Sequence, residues 1–162
     1  MGQRVDYRTI SPEGCAALRA LDLYLKGSGL EPSLLELVKV RVSQINGCAF
    51  CLDMHSKLAR ARGETEQRLY GLEAWREAPY YTERERAALE WTESITRVAE
   101  GHVPDEVYEH VRKLLNPKEH VDLTLAVIAI NGWNRLAIGF RTPAGTFQLP
   151  GTKPQGSAAS TG

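Results

Sequence analysis

Positive charge is not in surplus: 20 Lys and Arg are balanced by 20 Asp and Glu, so the formal net charge is zero. Phosphate backbones are bound through such a surplus, and its lack argues against nucleic acid or an anionic membrane as the main partner. Long apolar runs are also missing. The longest nearly unbroken one, Leu123 to Ile130, has eight residues and includes Thr124, whereas a membrane-spanning helix needs about 20. The opening MGQRVDYRTISPEG is polar throughout and lacks the basic-then-apolar layout of a secretory leader. The expectation is a soluble, cytoplasmic protein. There is no alternating strand pattern, no fixed-period repeat and no Gly-rich phosphate loop. Cysteine is scarce as well. Three cysteines are an odd count, unlike the dense, even frameworks of small secreted domains.

What remains is helical. With 162 residues, 43% of them apolar and 25% charged, the chain suits one domain with a sizeable core. Ser11-Pro12-Glu13 starts a helix that Gly27 and Gly29 stop. A second runs from Pro32 to Asn46-Gly47, and a third from about Cys48 to Arg62, with Gly63 as a left-handed cap. A fourth covers Thr65 to Arg76. A fifth opens on the capping box Thr82/Glu85 and ends at Gly101. A short sixth spans Pro104 to Leu115. The seventh runs from Asn116-Pro117 to Ile138 and is apolar nearly all round between Val121 and Ile130, as a central or interface helix would be. The fold class is therefore all-α: a single-domain bundle of about seven helices over residues 1–141, with a flexible tail at 142–162.

The chemistry is concentrated in Cys48-Ala49-Phe50-Cys51-Leu52-Asp53-Met54-His55. On a helix Cys51 lies about 60° from Cys48 and His55 about 20° from it, so all three share a face. Gly47 breaks the preceding helix, and the cysteines open a new one, where unpaired N–H groups and the positive dipole end favour thiolate. A nucleophile, a resolving thiol and a base are thus placed together. A second reading makes Cys48, Cys51 and His55 three of four zinc ligands, with the fourth from Glu36, His102, His110 or His120. A third leaves the thiols buried and inert. Cys15, on the apolar face of the first helix, reads as a small core residue. His102, His110 and His120 read as solvated. Glu36 lies in an apolar stretch, where burial would raise its pKa and suit it to proton relay; the alternative is a surface pair with Lys39.

Residues 36–64, ELVKVRVSQINGCAFCLDMHSKLARARGE, resemble the core of the alkylhydroperoxidase D (AhpD)-like family within the carboxymuconolactone decarboxylase superfamily. So does NGWNRLAIGFR at 131–141, and the likeness extends from about Leu34 to Arg141. The resemblance implies an all-helical subunit in a symmetric homo-oligomer (dimer, trimer or hexamer) and a thiol-dependent peroxidase. It implies that Cys51 is attacked by peroxide, Cys48 resolves, His55 is the general base, and Glu36, twelve residues before Cys48, completes a proton relay. It also implies an external dithiol reductant, of lipoyl type in the resembling proteins, and no metal, flavin or haem. The spacing agrees on Cys51: His55 is one turn from it but two turns from Cys48, or about 6 Å against 10 Å of axial rise.

One position departs from the AhpD pattern. A relay His precedes the second cysteine there, whereas Phe50 stands here. The relay from Glu36 must then be shorter or water-borne, and the pocket drier and more apolar, favouring organic hydroperoxides over hydrogen peroxide. The superfamily's lactone decarboxylases do not use the cysteine pair, so its presence argues against that activity. A general disulfide reductase or redox sensor using the same pair, and a zinc-binding helical interaction module, are the rival readings.

Overall fold

In a computed structural model of the chain, residues 2–151 are described. Nine α-helices and one 3-10 turn make up the regular structure among those residues, with no strand. They are α1 (Tyr7–Ile10), α2 (Pro12–Lys26), α3 (Pro32–Asn46), α4 (Ala49–Ala61), α5 (Glu66–Tyr70), a 3-10 turn (Gly71–Ala74), α6 (Glu83–Thr96), α7 (Val98–Gly101), α8 (Asp105–Val111) and α9 (Pro117–Phe140). The expected start signals act as read: Thr82/Glu85 and Asn116/Glu119 both form complete capping boxes.

The centre is α3, packed by α4, α6 and α9. Ten consecutive residues, Leu34 to Ser43, are buried. One side, with Leu34, Val38 and Val42, meets Leu123, Val127 and Ile130 of α9. The other, with Leu37 and Val40, meets Leu72, Trp75 and Leu89. Each such side chain withdrawn from water contributes about 1.5–3 kcal/mol. The all-round apolar pattern of the seventh helix, now α9, reads as a central or an interface helix, and the central place is not the one it takes. Instead α3 is enclosed on every side, and α9 leaves Val121, Ile128 and Ile138 exposed. By length and composition alone α9 could cross a membrane, yet its inner face carries polar groups that other helices satisfy. Tyr24 Oη donates to Asp122, Trp133 Nε1 donates to Asp22, and Asn134 Nδ2 donates to Ser43 Oγ.

Three boundaries differ from the sequence reading. The fourth segment splits at Gly71, where a Cβ would collide with the Tyr80 ring. The tighter 3-10 turn then aligns Leu72 and Trp75 so that both bury against α3. The fifth breaks at Arg97 into α6 and the single turn α7. The N-terminal segment, read only as polar, contains α1, capped by Asp6 and anchored by buried Tyr7 against Phe140. Residues 142–151 carry no regular element, and Lys57 Nζ donates to Phe147 O, tying them to α4. The remainder of the expected tail, 152–162, lies outside the described residues.

Asn134 is fully buried and links α9 to α3 through Ser43 and Asn46. Replacing it by Leu removes one hydrogen bond from each, leaving Ser43 Oγ with Lys39 O and Asn46 Nδ2 with Asn131 Oδ1. Asn134→Leu should cost about 1–3 kcal/mol, read as a Tm drop of several degrees. A melting curve that matches the parent protein would show that this polar link is dispensable.

Candidate active site

The site is built on the turn between α3 and α4. Gly47 takes a left-handed conformation (φ 67°, ψ 33°) that ends α3, a region costly for residues bearing a Cβ. The chain reverses there, and Cys48 becomes the N-cap of α4 rather than its first helical residue. Its Sγ accepts a hydrogen bond from Cys51 N–H at 3.4 Å, the role usually filled by Ser or Asp. Cys48 and Cys51 are joined as a disulfide, with Cα atoms 5.4 Å apart. Each is 1% exposed.

His55, one turn beyond Cys51, points back toward α3. Its Nδ1 lies 2.9 Å from Glu36 Oε2, and both residues are 5% exposed. The structure thus brings together all four residues singled out in the sequence, and the link from Glu36 to the imidazole is direct. The surface pairing of Glu36 with Lys39 is not made; Lys39 Nζ pairs instead with Asp22 at 3.4 Å.

The expected raised pKa of Glu36 is corrected. Burial does push it up, but the hydrogen bond and charge of His55, with the charges of Lys39 and Arg62, outweigh burial and hold it below the ordinary value. Arg62 Nε stands 3.6 Å from the second carboxylate oxygen. An ionised Glu36 accepts from His55 Nδ1–H, which leaves Nε2 with the lone pair in the neutral ring.

Cys51 and His55 line one cavity of about 190 Å³. Its walls come from five helices: Tyr7 and Arg8 of α1, Arg19 and Asp22 of α2, Lys39 of α3, Phe50 and Met54 of α4, and Trp133 of α9. Cys48 is not among the lining residues. Phe50 faces the cavity with Met54 and Trp133, and three cationic side chains and a carboxylate share its walls. Glu36 borders a separate cavity of about 150 Å³, together with Lys26, Lys39 and Arg62. The buried Glu36–His55 pair therefore stands between two openings.

Arg8, Arg19, Asp22, Lys39 and Trp133 were not found from sequence. Lys39 could have been, since it lies one turn after Glu36, and Trp133 sits within the 131–141 motif. Arg8 and Arg19 lie before the recognisable region and carry no signal of their own.

The other histidines are placed elsewhere. His110 Nδ1 pairs with Glu90 at 2.7 Å. His102 is exposed with φ 54°. His120 is not solvated as expected: it is 7% exposed, edge-on to Trp91 at 4.1 Å and stacked on Tyr108 at 5.4 Å. Burial there lowers its pKa. Among the described residues no three His, Cys, Asp or Glu side chains converge as a metal ion requires. Cys15 is buried and unpaired by disulfide, its Sγ directed at Tyr7 O, as a small core residue would be.

Comparison with known proteins agrees with this architecture. The chain is 49% identical over 138 residues to the uncharacterised protein YdfG of Bacillus subtilis, covering 85% of this chain and 94% of that one. Its fold matches a crystal structure from Agrobacterium tumefaciens, of a protein of unknown function proposed to be the antioxidant defence protein AhpD. The TM-score is 0.85 and the identity 45%, over 88% of this chain and 98% of the other. An uncharacterised peroxidase-related protein from Silicibacter sp. matches with a TM-score of 0.71 and 26% identity, over 81% of this chain and 70% of that one. Residues 12–94 match the profile of the carboxymuconolactone decarboxylase family. With an all-α, AhpD-like fold and a close Cys48–Cys51 pair, the chain belongs to the carboxymuconolactone decarboxylase family.

Proposed function

We propose that the protein is a thiol-dependent peroxidase that reduces hydroperoxides at Cys51. The observation that carries this reading is the shared cavity: Cys51 and His55 both line it, and His55 is held by Glu36 from behind. In the reduced enzyme His55 Nε2 takes the Cys51 proton. The thiolate attacks the distal oxygen of ROOH and the O–O bond breaks. Cys51 becomes a sulfenic acid, and the departing alkoxide takes the proton from the imidazolium and leaves as ROH. Cys48 Sγ then attacks the Cys51 sulfur and releases water, regenerating the disulfide. A dithiol reductant exchanges with that bond, restoring both thiols and leaving oxidised as its own disulfide. The net reaction consumes one ROOH and one dithiol and yields ROH, water and one disulfide.

Glu36 acts in this scheme as an ionised anchor. It fixes the Nδ1–H tautomer and stabilises the imidazolium that forms on the other side. Cys48, the N-cap outside the cavity, is suited to resolution rather than attack.

Steady-state peroxide consumption with a dithiol donor tests the reading. Cys51→Ser should abolish consumption. Cys48→Ser should consume about one equivalent and stop as a sulfenic acid trapped by a dimedone probe. Loss of the peroxide reaction in Cys48→Ser with retention in Cys51→Ser would reverse the two roles. Stoichiometric oxidation without turnover would favour a redox sensor.

Glu36→Gln separates anchoring from bulk. A carboxylate whose folded pKa is depressed contributes stability above its unfolded pKa and loses it as pH falls through the folded value. Near neutral pH the variant should be less stable by about 1.5–3 kcal/mol, the worth of a charged hydrogen bond. The gap should close as pH drops below the ordinary carboxylate value of 4.5. Urea unfolding across that range measures it, and a pH-independent gap would count against ionised Glu36.

The same reading has the chain assemble into a homo-oligomer. Val121 and Ile128 of α9 and Leu23 of α2 are each more than half exposed, an apolar surface suited to a second copy. Light scattering should give a mass well above the 18.0 kDa of one chain. A monomer at micromolar concentration would defeat it.

A further inference from the structure

The cavity beside Cys51 carries unspent positive charge. Elsewhere in the protein Arg41, Arg60, Arg68, Arg76, Arg84 and Arg112 each hold a carboxylate. Arg8 and Arg19 hold none among the described residues, and both line this cavity. The Arg8 guanidinium stacks over Tyr7 at 5.2 Å and over Phe50, the neighbour of Cys51, at 5.4 Å. Cation–π contact of this kind pins a guanidinium while leaving its N–H edge free. Lys39 is 8% exposed and reaches the same space from α3. The carboxylate on the wall, Asp22, is already engaged by Lys39 at 3.4 Å and by Trp133 Nε1 at 2.6 Å. Three cations and one anion leave the mouth net positive, in a chain whose formal charge is zero. Low-dielectric walls concentrate such a field and draw anions inward.

We propose that Arg8 and Arg19 form an anion-recognition site at the mouth of the Cys51 cavity, so that the hydroperoxide taken there is a small molecule bearing a carboxylate. The guanidinium fork matches a carboxylate in two parallel hydrogen bonds. Phe50, Met54 and Trp133 supply apolar wall for the carbon skeleton. The volume of about 190 Å³ is below the roughly 300 Å³ at which pockets take drug-sized ligands, so the skeleton is short or a single ring. The naming of a hydroperoxide rests on the peroxidase reading; the anion site itself does not.

Binding and turnover separate the two claims. Calorimetric titration compares 4-isopropylbenzoate with 4-isopropylbenzamide, which share a shape and differ in charge. The carboxylate should bind at least tenfold more tightly at low salt. The preference should shrink at high salt and fall to about one in Arg8→Gln/Arg19→Gln, whose replaced side chains are exposed and outside the core. Equal affinities, no carboxylate binding at millimolar concentration, or a preference that survives the double variant would each overturn the site. Turnover then compares cumene hydroperoxide with its 4-carboxylate, and dihydrolipoate with dihydrolipoamide. A lower KM for the carboxylated peroxide supports the assignment. A carboxylate preference on the dithiol alone overturns it and gives the site to the reductant. Carboxylate binding with no peroxide turnover at all would keep the anion site and overturn the peroxidase reading.

Discussion

One residue's backbone angle sets the geometry on which the rest depends. Gly47 turns the chain in the left-handed region, so α4 folds back along α3 rather than continuing away from it. That reversal places a cysteine sulfur at the start of α4. It also aims His55 at a carboxylate buried in the second turn of α3. A residue with a Cβ would meet little there; the constraint is the dihedral, not space. The cysteine pair and the His55–Glu36 contact both follow from one turn.

The second constraint is electrostatic. Burying an ionised carboxylate is costly unless it is paired and hydrogen-bonded. Among the described residues this fold buries three carboxylates, Glu36, Glu93 and Asp122, and the two glutamates are held in different ways. Glu93, buried on α6, is held by Arg41, Trp75 Nε1 and Arg76, a closed set of donors that ties α3 to α6 and the 3-10 segment. Glu36 is held by His55 and more loosely by Arg62 at 3.6 Å. The first arrangement is saturated and suits structure. The second includes an imidazole in place of a fixed cation, and it borders two cavities. The contrast between two buried glutamates on adjacent helices distinguishes scaffold from site.

Much of this was legible in the sequence. Proline starts, glycine stops and the two capping boxes are local signals, and local chemistry decides them, so the long helices fall where expected. The C-x-x-C-x-x-x-H spacing on a helix start is local in the same sense, and Glu36 was reachable through its twelve-residue offset from Cys48. What was hidden is non-local. Gly71 is a glycine because Tyr80, nine residues on, occupies the space a side chain would need. His120 reads as polar until Trp91 and Tyr108 enclose it. The pKa of Glu36 was misjudged because burial was visible in the apolar flanks while its partner's ring was not. Arg8, Arg19 and Asp22 reach the cavity from helices without a motif, and only tertiary packing brings them there.

The wall opposite the thiols has a consequence for the order in which the protein can be made. Trp133 and Asn134 reach back to Asp22 and Ser43 across 111 and 91 residues of chain. During synthesis the cysteines emerge long before α9 exists. Until that last helix docks, Cys51 has His55 one turn beyond it but no Trp133 to complete its cavity. Contacts of such separation form late, because loop closure must precede any gain from packing. The nascent chain therefore carries both cysteines of the pair before the helix that closes the cavity beside Cys51 is in place.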